Sequence, residues 1–266
     1  MKIEDIQNAD IDLLKQLQPE NWTDIRPYFY YYSASDFCQP LKISENGKVI
    51  AVGTNIQHTD SAWLAHIIVH PEHRNRGLGN KMASSLIENL DRKKFKTLYL
   101  DATPMGFPVY KKLGFKVETE YIHLEGKHTD QYLSDPSAII PFHADLKDEL
   151  LLLDRQISAE NRITIIEPHM RFSLVYVKEG QVQGAYFPSL LDGFVLAANS
   201  SAGIELMKIR MRSKATARLP SENKACVDFL MANGYKVTGS SKRMTLGEER
   251  DWNAKGIFHR ISGGLG

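Results

Sequence analysis

The densest chemistry in the sequence lies in Ile67-Ile68-Val69-His70-Pro71-Glu72-His73-Arg74-Asn75-Arg76-Gly77-Leu78-Gly79-Asn80-Lys81. An apolar, strand-like run passes into a basic turn with two glycines, and a helical pattern begins directly behind it. This order builds an anion cradle. Backbone N–H groups at a helix start have no intrahelical partners, and the helix dipole adds partial positive charge there. Gly77 and Gly79 lack a Cβ, so an anion can approach the main chain closely, while Arg74 and Arg76 add charge around it. Phosphate is the group such a turn suits. Other phosphate motifs fit less well: G-x-x-x-x-G-K-[ST] is absent, and the lone G-x-G lacks the third glycine and downstream acid of a dinucleotide fold.

The elements around this turn follow from periodicity. A short strand is predicted at Lys2 to Glu4, helical spacing at Leu13, Leu14 and Leu17, and a helix over Trp22 to Tyr32. Strands are predicted at Pro40 to Ser44, Lys48 to Gln57 and Trp63 to Val69. Glu45-Asn46-Gly47 supplies a hairpin turn, because Asn-Gly tolerates positive φ. Leu78, Met82, Leu86 and Leu90 recur every four residues, the stripe of a helix that packs on a sheet. A strand at Thr97 to Asp101, a short helix ending at Gly114 and a strand at Lys116 to Leu124 follow.

Ser134-Asp135-Pro136-Ser137 concentrates turn residues and is the expected linker, giving domains at 1–134 and 138–266. Beyond it the order of elements begins again. Leu146, Leu150, Leu153 and Ile157 form a helical stripe; Phe172 to Lys178 and Gln181 to Phe187 form a hairpin around Glu179-Gly180; Ile204 to Met211 reads as helix. A strand at Ala215 to Leu219, a helix at Asn223 to Ala232 and a strand at Lys236 to Met244 complete the series. Tyr110-Lys111-Lys112-Leu113-Gly114-Phe115-Lys116-Val117 aligns with Leu230-Met231-Ala232-Asn233-Gly234-Tyr235-Lys236-Val237, which points to a duplicated α/β (α+β) unit of mixed, mostly antiparallel sheet flanked by helices.

Composition restricts the function classes. With 266 residues, 42% hydrophobic and 24% charged, the chain is an ordinary globular protein long enough for two domains. Its 33 Lys and Arg against 32 Asp and Glu leave no polybasic field, so no nucleic-acid partner is expected. The apolar runs Leu150 to Leu153 and Phe194 to Ala198 fall far short of the roughly 20 residues that cross a bilayer. Met1 to Asp10 is acidic and has no apolar signal region, so a cytoplasmic location without membrane association is expected. Cys38 and Cys226 form no metal-like cluster, so no metal is expected, and both read as buried small hydrophobes.

Arg74, Gly77 and Gly79 spell R-x-x-G-x-G, preceded by V-x-P as Val69 and Pro71; further along, Tyr110, Gly114 and Phe115 spell Y-x-x-x-G-F. On these motifs, residues 1 to 125 closely resemble the GNAT superfamily of acyl-CoA N-acyltransferases. The resemblance implies acetyl-CoA as co-substrate and transfer of its acetyl group to a primary amine by direct attack in a ternary complex. It implies that the main chain of Ile67, Ile68 and Val69 pairs with the pantetheine arm. Arg74, Asn75, Arg76, Gly77, Leu78, Gly79 and Asn80 would wrap the pyrophosphate. Tyr110 matches the family tyrosine that protonates the departing thiolate. Pro108 fits only the first turn of its helix, so that helix should start near Phe107 and hold Tyr110 near its N-terminal end. Thr103 stands where many relatives carry an Asn, and that contact is not transferred.

A general base is not fixed by the sequence. His66 lies on the key strand, but strict alternation puts it on the opposite face from Val69, with the packed core, unless a bulge intervenes. Glu118, Glu120 and Asp60 are carboxylates that read as solvated charges. The acceptor is expected to be a small-molecule amine or amino-acid-like compound, with Tyr30, Tyr31, Tyr32 and Trp22 as aromatic candidates for its wall. A non-catalytic acyl-CoA sensor is the alternative, and oligomeric state is open. In the second half, Pro188 to Gly203 carries no Arg and no R-x-x-G-x-G, and Leu230 stands where Tyr110 does. The whole chain resembles tandem GNAT proteins with a degenerate second half that lacks its own acetyl-CoA site.

Overall fold

The computed structural model describes residues 1–19, 22, 24–128 and 138–265, so the linker expected at Ser134 to Ser137 lies outside the described residues. The chain divides into two compact units, and the division does not fall at one point along it. The first comprises Met1–Lys116 together with Thr245–Glu248; the second comprises Val117–Met244 and Glu249–Gly266. The strand expected at Lys116 to Leu124 forms, yet from Val117 onward it is counted with the second unit.

The first unit runs β1 (Lys2–Asp5), α1 (Asn8–Ile11), a 3-10 segment (Asp12–Leu17), α2 (Arg26–Ser33), β2 (Cys38–Glu45), β3 (Lys48–Gln57), β4 (Ser61–Val69), α3 (Leu78–Glu88), β5 (Thr97–Ala102) and α4 (Phe107–Lys112). Helix α2 starts four residues later than the aromatic pattern predicts. Pro27 sits in its first turn, where a missing N–H costs nothing, and Asp24 accepts from the Arg26 N–H just outside it. Trp22 is therefore left outside the helix, exposed in a bend.

Strands β1 to β4 pair antiparallel in chain order, and β5 adds parallel to β4. The α3 stripe of Leu78, Met82 and Leu86 is buried on this sheet. Gly53 on β3 makes the close fit: a Cβ there would stand 2.9 Å from Leu86 Cδ1 and 3.0 Å from Met82 Cγ. Buried Asn55 on the same strand donates from Nδ2 to the Leu86 carbonyl at 2.7 Å, which satisfies an acceptor in the last turn of the helix.

The second unit runs β6 (Lys116–Glu125), β7 (Ile139–Pro141), α5 (Lys147–Ser158), α6 (Ile163–Met170), β8 (Leu174–Lys178), β9 (Gln181–Phe187), β10 (Phe194–Ala197), α7 (Ser200–Met211), β11 (Thr216–Pro220), α8 (Lys224–Ala232), β12 (Lys236–Gly247) and β13 (Ile257–His259). Strands β13-β10-β9-β8-β7 form one sheet, and β6 lies between β12 and β11 in another. Ser240 Oγ on β12 donates to Glu120 Oε1 on β6 at 2.6 Å, two positions separated by the offset of the sequence repeat. The last residues of β12, Thr245 to Gly247, belong to the first unit and run beside β5, where Thr97 Oγ1 donates to the Glu248 carbonyl at 2.8 Å.

Four elements of the second unit went unread in the sequence. Helix α6 contains Pro168, which reads as a breaker, β7 and β13 are three-residue strands too short for periodicity to show, and β10 is a four-residue run apolar on both faces, without alternation. Cys226 is buried as expected, whereas Cys38 is only half-buried; both are free, and burial pushes the Cys38 thiol up to about 12.

Candidate functional site

Strand β4 organises the site. Its pairing with β5 covers Ser61↔Thr97, Ala62↔Leu98 and Trp63↔Tyr99 and goes no further, although β4 continues to Val69 and β5 to Ala102. The β4–β5 ladder therefore ends at Trp63, and beyond it this edge of β4 continues without a pairing to β5. Ile67, Ile68 and Val69 all lie along that edge. At its far end the chain enters the glycine turn, where Arg74 Nε donates back to the Val69 carbonyl at 3.3 Å.

A bulge interrupts β4 in the middle. Val52 pairs with Ile68 and Thr54 with Ala65, so His66 and Ile67 together oppose Gly53, and His66 takes a left-handed φ of 48°. Such a conformation is strained for a residue with a Cβ and is retained where the surroundings impose it. The extra residue also overturns the alternation expected from the sequence. Trp63 partners Ile56 and Val69 partners Ala51, an odd interval on β3, so these two side chains lie on opposite faces of the sheet.

His66 consequently leaves the position that strict alternation assigned it. Its ring is half-buried beside α2, with Nδ1 at 2.9 Å from the Tyr32 hydroxyl. Tyr28, Tyr32, Phe29 and Trp22 surround it with ring centroids 4.8, 5.6, 6.0 and 6.0 Å away. Burial lowers its pKa to about 4, so the ring is neutral near pH 7. Of the aromatic residues singled out in the sequence, Tyr32 and Trp22 reach this cluster. Tyr30 instead donates to Asp12 on the exposed side of α2, and Tyr31 packs edge-on to Tyr32 and Phe37. Tyr28 was missed; it lies four residues before Tyr32, one helical turn away on the same face.

The glycine turn has the form the sequence predicts. Asn75 and Gly77 take φ of 60° and 76°, and α3 begins at Leu78 with no side chain capping it. A Cβ on Gly77 would meet nothing within 4 Å, and one on Gly79 would meet only Val69 Cγ2 at 3.9 Å. Among the described residues, then, the two glycines leave open space on the main chain at the start of α3, as an approaching phosphate requires. Arg76 departs from expectation. Its guanidinium forks onto Glu45, with Nη2 3.1 Å from Oε1 and Nη1 3.3 Å from Oε2, and Nη1 lies 2.7 Å from His73 Nδ1. Glu45 beside the β2–β3 hairpin turn thus already pairs one of the two arginines, while Arg74 bonds the Val69 carbonyl on the strand.

Helix α4 starts at Phe107, as Pro108 demands, with Gly106 as N-cap. Tyr110 is buried and packs so closely on Gly106 that a Cβ there would stand 2.8 Å from its Cε2. Burial, and then the negative charge of Asp101, raise the phenol pKa well above its ordinary value, so the group stays protonated at neutral pH. Thr103 Oγ1 accepts from the Gly106 N–H at 3.3 Å and so helps to form the turn into α4.

The remaining carboxylates have other partners or places. Glu118 and Glu120 belong to the second unit, where Glu118 accepts from Arg243 Nε at 2.7 Å and Glu120 from Ser240. Asp60 precedes Ser61, at the end of β4 remote from the glycine turn. Among the described residues no group of three or more His, Cys, Asp or Glu is placed to hold a metal ion, and no helix is long and apolar enough to cross a membrane.

In the second unit, the region expected to hold a matching turn is occupied differently. Phe194 to Ala197 form β10, and α7 begins at Ser200, four residues before the sequence reading put it. Only Ala198 and Asn199 separate them. Asn199 caps the helix by accepting from Ala202 N at 3.0 Å, and Gly203 is covered by the Phe258 ring, 2.1 Å from where a Cβ would be.

Comparison with known proteins bears on this arrangement. Residues 6–115 match the acetyltransferase (GNAT) family. The [ribosomal protein bS18]-alanine N-acetyltransferase of Escherichia coli (strain K12) is 30% identical over 82 residues, 30% of this chain and 55% of that protein. The chain thus spans about half the length of the curated relatives it matches. Among solved structures, an acetyltransferase candidate from Pyrococcus horikoshii aligns over 100% of this chain and 95% of its own, with TM-score 0.83 at 18% identity. A tandem GNAT protein from the clavulanic acid biosynthesis pathway aligns over 94% and 99%, with TM-score 0.55 at 12% identity. At such identities the likeness is one of fold, and the fold is that of tandem GNAT proteins.

Proposed function

We propose, from the match of residues 6–115 to the acetyltransferase (GNAT) family, that the chain transfers an acetyl group from acetyl-CoA to a primary amine, by direct attack with both substrates bound. The end of the β4–β5 ladder at Trp63, together with the uncapped start of α3, carries this reading. The fit to acetyl-CoA rests on two features of the chain itself: unpaired strand edge for an amide-rich arm, and open space at Gly77 and Gly79 for phosphate. The main chain of Ile67, Ile68 and Val69 holds the arm; Arg74, Asn75, Gly77, Leu78, Gly79 and Asn80 cradle the pyrophosphate, with Arg76 held at the rim by Glu45.

Tyr110 supplies the proton that the sulfur takes when the carbon–sulfur bond breaks. A phenol kept protonated by burial is a competent donor to a thiolate forming beside it. The acceptor is a small-molecule or amino-acid-like amine. An alanyl peptide belongs in the same panel, since the name of the E. coli relative gives alanine of ribosomal protein bS18 as that enzyme's acceptor. The second unit holds no acetyl-CoA of its own, a reading supported by the capped start of α7 and the ring over Gly203.

The test is calorimetry with acetyl-CoA followed by CoA release with a panel of primary amines. Tyr110→Phe should lower kcat by about 10²-fold or more while acetyl-CoA affinity stays within about twofold. Unchanged turnover in that variant would remove Tyr110 from the chemistry, and failure of the wild type to bind acetyl-CoA would overturn the reading as a whole.

A further inference from the structure

We propose that His66 takes the proton of the attacking amine through Nε2, and that Tyr32 positions the ring for this by holding Nδ1. The proposal rests on the acetyl-transfer reading and names a catalytic residue for it. Three independent features of the structure converge on His66.

The first is backbone geometry. A histidine at φ 48° in the middle of a strand is held there by the bulge opposite Gly53, and the bulge turns the ring toward α2. The second is position. His66 lies three residues beyond Trp63, the last residue of β4 that pairs with β5, and directly before Ile67, so it sits just past the end of that ladder. An acyl group carried along the Ile67 to Val69 edge arrives at this point. The third is the ring's own environment. Tyr32 is 2.9 Å from Nδ1, and Tyr28, Phe29 and Trp22 wall the ring without offering a carboxylate. A neutral imidazole has one N–H. Placed on Nδ1 and donated to the Tyr32 oxygen, it leaves Nε2 with a lone pair for the acceptor.

Burial keeps His66 unprotonated at neutral pH, as a proton acceptor must be. The other candidates are disposed of by their partners: Glu118 and Glu120 are bound to Arg243 and Ser240, and Asp60 stands at the opposite end of β4. In the step itself the amine nitrogen bonds to the thioester carbon and its proton passes to Nε2. The carbon–sulfur bond breaks, and the sulfur takes the Tyr110 proton. His66 then releases its proton to water and Tyr110 regains one, so the net change is amine plus thioester to amide plus thiol.

The experiment compares wild type, His66→Gln, His66→Ala and Tyr32→Phe. Acetyl-CoA binding is measured by calorimetry and CoA release with alanyl peptides, phenethylamine and spermidine. The expected result is a loss of about 10²-fold in kcat for both His66 variants and a smaller loss for Tyr32→Phe, with acetyl-CoA affinity unchanged in all three. Added imidazole should restore part of the turnover of His66→Ala, which a purely structural role would not allow. Turnover by His66→Gln within about threefold of wild type overturns the proposal alone. Binding of acetyl-CoA without turnover of any amine by the wild type overturns the transfer reading and the proposal with it.

Discussion

Gly77 and Gly79 look alike in the motif, and the structure gives them different reasons. Gly77 holds φ 76°, which a residue with a Cβ adopts only under strain; Gly79 lies inside α3 with room around it. Gly77→Ala should therefore lower stability by about 1 kcal/mol in urea titrations. Gly79→Ala should leave stability unchanged or slightly raised, because alanine suits a helix better by about 0.5–1 kcal/mol, yet weaken acetyl-CoA binding in calorimetry. His66 makes a second prediction at this scale. Burial lowers its pKa to about 4 from an ordinary 6.5, and that of His123 to about 3, with Arg260 and Arg218 adding to the effect on His123. The unfolded chain therefore binds protons that the native state refuses as pH falls below about 6.5, so stability is full above that value and declines toward pH 4. Thermal melts of His66→Gln should show a shallower decline over that window than the wild type.

The elements show which parts of the site a sequence can display. The glycine turn was legible because its parts are contiguous and each residue type has a local reason. The start of α4 was legible because Pro108 permits little else. The β4 bulge was not. Alternation reveals a one-residue slip only where polar and apolar residues alternate, and Trp63-Leu64-Ala65-His66-Ile67-Ile68-Val69 is apolar on both faces save for the histidine that slips. The fork from Glu45 to Arg76 was equally hidden, since it joins a hairpin turn to a turn of distant sequence. Asn55 ties β3 to the last turn of α3 from a fully buried position. Asn55→Ala should cost about 1–3 kcal/mol of stability in urea unfolding, because it leaves the buried Leu86 carbonyl without that donor.

For the molecule as a whole, two α/β units in tandem were legible in the sequence, and the compact units draw in a segment from far along the chain. Strand pairing between residues far apart leaves no mark in local pattern, so nothing in the sequence signalled that Thr245–Glu248 completes the first unit. A boundary after residue 134 would leave β5 with β4 on one side only, and would remove the Leu246 side chain that packs 3.5 Å from where a Cβ of Gly114 would stand. A fragment of residues 1–134 is accordingly expected to melt well below the full chain and to aggregate through the bared β5 edge; circular dichroism and light scattering would register both.

That return of the chain has a consequence for synthesis. The first unit has all its helices and all but its last strand once residue 116 has been made, yet the segment that covers β5 is translated roughly 130 residues later. At about 5–20 residues per second, the nascent unit waits on the order of ten seconds with one edge of β5 uncovered. On the proposed function, competence of the first unit is thus coupled to completion of the second, and a ribosome that stalls between the two releases a chain that carries every residue proposed to bind acetyl-CoA but lacks the strand segment that pairs with β5.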